Sequence, residues 1–390
     1  MTEVVVVAGT RTAIGDYGGA FKEIPPTRLG SIAIKEALAR GAVDPATVGH
    51  VVMGSVIHGE ARDMYLSRVA ALDAGLPVGT PCLTVNRLCG SGLQAIVSAA
   101  QHILLGDCST AVAGGAESMS RAAYMLPSGR WGQRMGDAPV IDAMTAALHD
   151  PFGHGHMGVT AENIAAKYGF TREQQDQFAV ESHKRAARAI ESGYFNSQIV
   201  PVELKSKKGV EQFTTDEHVR KEASMADMAK LKTVFKKDGS VTAGNASGIN
   251  DAAAAVVLMD AKGAKNHKPI ARLVAYAHAG VEPQLMGLGP IPAVKRVFER
   301  AGLKPADMDV IESNEAFAVQ AMAVTKDLGL DPAKVNPNGG AVALGHPIGA
   351  TGCILTVKAL YELQRTNKRY ALVTMCIGGG QGIAAIFERL

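Results

Sequence analysis

The sequence predicts an α/β protein made of two similar halves with a separate segment inserted between them. Strand patterns alternate with helix patterns in both halves, which is typical of parallel β-α-β units with helices on both faces of a sheet. The same succession of a helix end, a turn and a strand is predicted twice, at residues 38–55 and 299–315. A chain of 390 residues also exceeds the roughly 250 to 300 residues at which a single core stops growing. We therefore expect more than one domain.

The repeated feature is a helix end, a glycine, a Pro-Ala turn and a β-branched strand, in LARGAVDPATVGHVVMGS and again in ERAGLKPADMDVIESNE. Further along each half, a glycine-rich turn leads to a helix and then to a strand that ends in glycines. Short patterns of this kind also match by chance, so the duplication is a hypothesis. It places the two halves at residues 1–118 and 248–390.

Residues 119–247 form the predicted insertion, because the alternation there gives way to loops punctuated by glycine and proline. One amphipathic helix is predicted within it, opened by a capping box of Thr171 and Gln174. A segment of this kind is typical of a lid or a ligand-binding lobe. Its modest basic excess most simply reflects a solvated surface.

Composition excludes several classes of function. The 40 basic and 37 acidic side chains leave a net charge of only +3, so we expect no nucleic-acid partner. The apolar start, MTEVVVVAG, is too short to span a membrane and reads as a first strand. Five cysteines without a CxxC pair indicate reduced thiols in a cytoplasm. His149, His154 and His156 are close in sequence but lack a second ligand cluster, so we predict no metal.

Cys89 is the first candidate for chemistry, because it lies at a turn between a strand and a helix. The turn would expose the sulfur to the positive end of the helix dipole and lower the pKa of the thiol. Gly90 and Gly92 would let a thioester approach the backbone, as in a nucleophile elbow. The alternative interpretation is that Cys89 is a small buried residue that serves packing and not chemistry. The helix carries an apolar stripe at helical spacing, formed by Leu93, Ile96, Val97, Ala100 and Leu104.

Three further candidates lie in the second half. His346 is in a loop of glycines and would serve as a base for the Cys89 thiol, although a histidine in a loop is often structural. Cys376 ends a strand and is followed by Gly378, whose N–H would face an oxyanion, as would those of the next two glycines. Asn314 lies where a strand ends, either as a donor to a carbonyl oxygen or as a helix cap.

Six motifs, in this order, resemble the thiolase family and most of all its bacterial biosynthetic members, the β-ketothiolase group. They are NRLCGSG, HMG at 156–158, AGNASG at 243–248, NEAFA, GHPIGATG and CIGGGQG. The resemblance spans nearly the whole chain. It implies two duplicated halves packed as five α-β-α-β-α layers, with an inserted loop domain, residues 119–247, that binds coenzyme A.

The resemblance also implies roles. Cys89 would carry an acyl group, His346 would activate Cys89, and Cys376 would move protons at the α-carbon of the nucleophile and at the leaving group. One oxyanion hole would consist of His346 and a water held by Asn314, and the other of the N–H groups of Cys89 and Gly378. Ping-pong kinetics would follow from the covalent intermediate.

The implied substrates are acetyl-CoA with a short acyl-CoA, or a 3-ketoacyl-CoA in the reverse direction. No further cofactor is implied, and homotetramers built from tight dimers are usual in the family. The substrate-binding positions that carry over are Leu148, His156, Met157, Arg220, Phe235, Ala243, Ser247 and Gly248, with Met286 and Phe317 near the acyl end.

Three alternatives stay open at this point. A decarboxylating ketoacyl synthase would share the fold and the nucleophile but would not need a second thiol. A non-catalytic acyl-CoA-binding protein would tolerate loss of Cys89 or His346. An NAD-dependent enzyme is disfavoured because the first strand is followed by GTRTAIG and not by a dinucleotide-binding turn.

Overall fold

A computed structural model describes residues 2–206 and 209–390. The first part of the chain forms the elements of one sheet and its covering helices. These are β1 (Val4–Arg11), β2 (Gly15–Asp16), α1 (Pro26–Arg40), β3 (His50–Gly54), α2 (Leu66–Asp73), β4 (Cys82–Val85), α3 (Ser91–Leu105) and β5 (Thr110–Ser118).

The middle of the chain contains short strands and helices that extend from this sheet. They are β6 (Tyr124–Met125), β7 (Ile141–Asp142), α4 (Ala143–Ala147), α5 (Met157–Tyr168), α6 (Arg172–Glu191), β8 (Val202–Ser206), β9 (Gly209–Phe213) and α7 (Met225–Ala229). The predicted amphipathic helix is α6. Thr171 caps it and forms the expected capping box with Gln174.

The last part forms one more strand of the first sheet and then the second sheet with its covering helices. Its elements are β10 (Asn250–Asp260), β11 (Ala271–Gly280), α8 (Pro290–Ala301), β12 (Val310–Ser313), α9 (Ala318–Asp327), α10 (Ala341–Leu344), α11 (Ile348–Thr366), β13 (Tyr370–Ile377) and β14 (Gln381–Arg389).

The strand order confirms the duplication. Counted outward from the junction of the halves, one side runs β1-β10-β5-β3-β4 and the other β11-β14-β13-β12. Only two residue pairs join β1 to β11, so the halves are nearly separate sheets. The outer pairs β3–β5, β3–β4 and β12–β13 are parallel, as predicted. The pairs that involve β10 and β14 are antiparallel, so each sheet is mixed.

The position of β10 differs from the sequence-based division at residue 248. This strand pairs antiparallel with β5 over nine residue pairs, from Asp251 with Ser118 to Met259 with Thr110, and with β1 on its other side. It therefore completes the first sheet after the chain returns from the insertion. The change of half lies after β10.

Five layers follow from the packing. One core cluster contains α3 and α11 together with inward-facing residues of both sheets, and two others hold α1 and α2 on one outer face and α8 and α9 on the opposite one. Among the described residues, α3 with its preceding turn is the one helical segment long and apolar enough to cross a bilayer. Its place between the two sheets accounts for that character.

The central position of α3 changes its predicted apolar stripe. Leu93, Ile96, Val97 and Ala100 are fully buried, but Leu104 is 46% exposed and Ile103 is buried in its place. The stripe predicted one apolar face, whereas a helix between two sheets buries most of its circumference.

Gly92 and Gly352 allow α3 and α11 to pack closely. A Cβ on Gly92 would lie 2.7 Å from the Cys353 nitrogen, and one on Gly352 would lie 2.2 Å from the Leu93 nitrogen. Gly92 therefore serves helix packing, which corrects the prediction that it leaves room for a thioester. Gly90 likewise faces a side chain, because its Cβ would lie 2.6 Å from Ile377.

We expect Gly352→Ala to lower the free energy of unfolding by about 3 kcal/mol, the upper end for overpacked cores, because the clash is with backbone. Chemical denaturation measures this. Gly79→Ala is the matched control, since no atom lies within 4 Å of its Cβ position. Equal stability of the two variants would contradict this account of the helix contact.

Candidate active site

Cys89 lies in a tight turn between β4 and α3, as predicted. The residue before it, Leu88, has a φ of 44°, a backbone conformation that is strained for a leucine. The Ser91 hydroxyl holds the turn by accepting from the Arg87 N–H at 2.8 Å and donating to the Leu88 carbonyl at 2.7 Å. This geometry presents the Cys89 side chain to a cavity. The residue as a whole is partly exposed, but protein atoms enclose the sulfur itself.

His346 lies opposite this turn and is held at both its main chain and its ring. Its N–H donates to the Asn250 side-chain oxygen at 2.9 Å, and Nδ1 lies 2.7 Å from the Thr351 hydroxyl. Nε2 lies 3.5 Å from the side-chain nitrogen of Asn314. Because α9 begins only at Ala318, Asn314 does not cap a helix, and that alternative is excluded.

Cys376 is fully buried at the end of β13, in an apolar cluster with Met157, Met286 and Phe317. It is close enough to Cys89 for the charge of one sulfur to raise the pKa of the other. The N–H of Gly378 and that of Cys89 itself face the Cys89 sulfur. Cys89 and His346, from distant segments, line one cavity. Cys376, from a third segment, packs behind the wall of that cavity, within range of the Cys89 charge.

Burial dominates the pKa values of these groups. It raises the pKa of Cys89 to about 11, against the two N–H groups that favour the thiolate. It lowers the pKa of His346 to about 4 and raises that of Cys376 well above its usual range. The prediction of a lowered Cys89 pKa is therefore wrong, because loss of solvent outweighs the turn's donors. The resting site holds neutral thiols and a neutral imidazole.

This charge state predicts how Cys89 reacts with iodoacetamide. We expect its alkylation rate to rise about tenfold per pH unit between about pH 6 and pH 9, because only the thiolate reacts and the pKa lies above this range. The reaction is quenched at set times, and mass spectrometry of the Cys89 peptide measures the rate. A plateau below pH 8 would instead indicate a thiolate–imidazolium pair.

A cavity of about 550 Å³ extends from Cys89, His346 and Gly378 to the surface. All ten predicted substrate-binding residues line it, namely Leu148, His156, Met157, Arg220, Phe235, Ala243, Ser247, Gly248, Met286 and Phe317. Cys376 and Asn314 do not line it. Cys376 packs beside Met157, and Asn314 lies behind His346.

Aromatic packing shapes the cavity wall. His156 caps α5 by accepting from the Gly158 N–H at 3.0 Å, and its ring stacks on Phe235 at 4.7 Å between centroids. Phe235 meets Phe317 edge to face at 6.3 Å. A Cβ on Gly158 would lie 2.2 Å from the Phe235 ring, so the absence of a side chain at Gly158 leaves room for that ring.

Two members of a polar cluster at the solvent end, Asp16 and His218, were not predicted from sequence, whereas the third, Arg220, was. Asp16 contacts His218 through the imidazole Nδ1 and accepts from Arg220 at 3.2 Å. The Arg220 side chain is 64% exposed. Asp16 and His218 are about two hundred residues apart in the chain and belong to no recognisable motif, so no local pattern could have joined them. Within the described residues, no group of three or more potential ligands could hold a metal.

Family models match almost the entire chain. The thiolase N-terminal domain matches residues 4–262 and the thiolase C-terminal domain matches residues 267–389. The chain is 64% identical to the beta-ketothiolase BktB of Cupriavidus necator over 391 residues, covering 100% of this chain and 99% of that protein.

Solved structures agree with this relationship. The acetyl-CoA acetyltransferase of Bacillus anthracis superposes with a TM-score of 0.98 at 45% identity, covering 100% of this chain and 99% of that one. Human mitochondrial 3-ketoacyl-CoA thiolase in complex with CoA superposes with a TM-score of 0.97 at 43% identity, covering 100% and 98%. The fold, the site and these matches show that the chain belongs to the thiolase family.

Proposed function

We propose that this thiolase-family acyltransferase catalyses reversible Claisen condensation of acetyl-CoA with a short acyl-CoA, through an acyl group on Cys89. The observation that carries the proposal is that Cys89 and His346 line the inner end of the cavity, while Cys376 packs behind its wall, near the Cys89 sulfur. A nucleophile, a neutral base and a second thiol are the groups that this reaction needs. Run in reverse, the reaction is thiolytic cleavage of a 3-ketoacyl-CoA.

The first half-reaction transfers the acyl group to Cys89. His346 Nε2 takes the thiol proton as the sulfur attacks the thioester carbonyl. The N–H groups of Cys89 and Gly378 stabilise the resulting oxyanion, since fixed donors need no reorganisation during the reaction. CoA leaves as its thiol with the proton of Cys376. The imidazole is then charged, and Cys376 is a thiolate.

The second half-reaction forms the carbon–carbon bond. The Cys376 thiolate removes a proton from the methyl carbon of acetyl-CoA, and the charged His346 stabilises the enolate oxygen together with a water held by Asn314. The buried Asn314 Oδ1 has no hydrogen-bond partner in the described part of the chain, which leaves it free to hold that water. The enolate attacks the acyl group, and Cys89 leaves with the proton of His346. All three groups return to their starting state.

The rest of the cavity binds the pantetheine and nucleotide parts of CoA. Its middle is apolar, with Leu148, Met157 and Phe235 in the wall, as a pantetheine arm requires. Arg220 lies at the solvent end, where it would meet a phosphate. The inner end is packed by Met286 and Phe317, which supports short acyl chains.

We expect Arg220→Ala to raise KM for acetoacetyl-CoA about tenfold with little change in kcat, because a surface phosphate contact acts equally in ground and transition states. Acetoacetyl-pantetheine, which lacks the nucleotide phosphates, would show no such effect. Steady-state kinetics with both substrates measure this. Arg300→Ala, an arginine outside the cavity, is the control, and an equal loss with both substrates would contradict the assignment.

Covalent labelling tests the proposed function directly. The protein is incubated with acetyl-CoA, digested and analysed by mass spectrometry, and the Cys89 peptide should carry one acetyl group that added CoA removes. A non-catalytic acyl-CoA-binding protein would bind acetyl-CoA without this adduct. The absence of an adduct would therefore overturn the proposal.

We further infer a cytoplasmic homotetramer that needs no bound cofactor beyond its CoA substrates. The segment from β6 to β7 supports the assembly, because it carries a concentration of exposed apolar side chains. These include Tyr124, Leu126, Trp131, Met135 and Val140. Light scattering gives the oligomeric state in solution, and a monomer would contradict this inference.

A further inference from the structure

We propose that Thr351 sets the tautomer of His346 and is therefore a positioning residue for proton transfer from Cys89. This inference rests on the proposed role of His346 as the base. It concerns a residue that does not itself line the cavity and that acts through its contact with the imidazole ring.

The argument begins with the two partners of the Thr351 hydroxyl. Its oxygen lies 2.9 Å from the Pro347 carbonyl oxygen and 2.7 Å from His346 Nδ1. Thr351 is only 2% exposed, so these two partners satisfy the hydroxyl. A hydroxyl has one proton to donate, and a carbonyl oxygen can only accept.

Both contacts are satisfied by one assignment of protons. If the Thr351 hydroxyl donates to Pro347, its oxygen can accept from a proton on His346 Nδ1. If the hydroxyl instead donated to Nδ1, the lone pairs of two oxygens would face each other at 2.9 Å without a proton between them. The first assignment makes two hydrogen bonds and the second makes one. The Nδ1–H tautomer is therefore favoured.

This tautomer leaves Nε2 free to accept the Cys89 proton. A neutral imidazole carries one ring proton, and burial lowers the pKa of His346 to about 4. The side-chain nitrogen of Asn314, a donor, faces Nε2 at 3.5 Å, which also suits an acceptor at that position. Asn250 fixes the His346 main chain, and the Thr351 contact at Nδ1 fixes the ring.

Removing the hydroxyl would reverse the preference. In Thr351→Val, a proton on Nδ1 would be buried without an acceptor, which is unfavourable. The proton would then move to Nε2, and that nitrogen could no longer take the proton of Cys89. The branched shape of the side chain is kept, so packing changes little.

Thr356→Val provides a matched control in the same helix. Thr356 is fully buried, and its hydroxyl donates to the Gly352 carbonyl at 2.8 Å, but it does not contact His346. We expect Thr351→Val to slow acetylation of Cys89 by roughly 10- to 100-fold, the effect of one lost buried hydrogen bond. Thr351→Ser should stay within about threefold of the unchanged protein, and Thr356→Val should match it.

The tautomer itself is read by NMR. Two-bond proton–nitrogen correlations of the labelled imidazole, assigned with a His346 variant, should show Nδ1–H in the unchanged protein and Nε2–H in Thr351→Val. A spectrum of the unchanged protein with the proton on Nε2 overturns the proposal, even if Thr351→Val does not fold. So does a Thr351→Val rate equal to that of Thr356→Val.

These outcomes are separate from those of the proposed function. If the unchanged protein forms the acetyl adduct while Thr351→Val behaves like the control, only the tautomer assignment fails. If the unchanged protein forms no adduct, the role of Cys89 and His346 fails first.

Discussion

Replacing Cys89 with alanine is expected to lower the rate of acetoacetyl-CoA thiolysis by at least about four orders of magnitude, because removal of a nucleophile abolishes the covalent route. Ser91 and the backbone of the turn remain, so the fold should be unchanged. Disappearance of the 3-ketothioester measures the rate. Mass spectrometry should find no acetyl group on any peptide of this variant.

Cys108→Ala is the matched control for this variant. Cys108 is also partly exposed, but it does not line the cavity, and alanine keeps the Cβ that packs beside Gly49. We expect its activity to equal that of the unchanged protein. Substantial turnover in Cys89→Ala, with Cys108→Ala inactive, would mean that the nucleophile has been misassigned.

Replacing Cys376 with alanine should separate the two half-reactions. We expect condensation to fall by about three to four orders of magnitude, the upper range for loss of a general base. Acetylation of Cys89 should persist at a reduced rate, since CoA can leave as a thiolate and take its proton from solvent at the open end of the cavity. The measurements are condensation of acetyl-CoA by steady-state assay and the acetyl adduct by mass spectrometry.

The same variant distinguishes a thiolase from a decarboxylating condensing enzyme. An enzyme that draws its carbanion from loss of carbon dioxide does not need a thiol as base, so it would retain condensation with a malonyl thioester. Malonyl-CoA is therefore the control substrate. Measurable condensation of malonyl-CoA by the unchanged protein that is fully retained in the Cys376→Ala variant would contradict the proposed role of Cys376.

Local patterns in the sequence were sufficient for much of the architecture. The Thr171 capping box, the repeated Pro-Ala turns and the strand that ends at Cys376 all depend on contacts between residues a few positions apart. The ten substrate-binding positions came from resemblance to a family and not from local patterns. Their location around one cavity followed from the fold.

What only the tertiary structure decided involves residues far apart in the chain. The tertiary structure placed β10 in the first sheet and assigned Gly92 and Gly352 to helix packing. It also brought the Asp16 carboxylate into contact with the His218 imidazole. It also reversed the expected pKa of Cys89. A sequence pattern reports which side chains are near in the chain, whereas burial, close approach and pKa depend on segments that meet only after the halves have packed together.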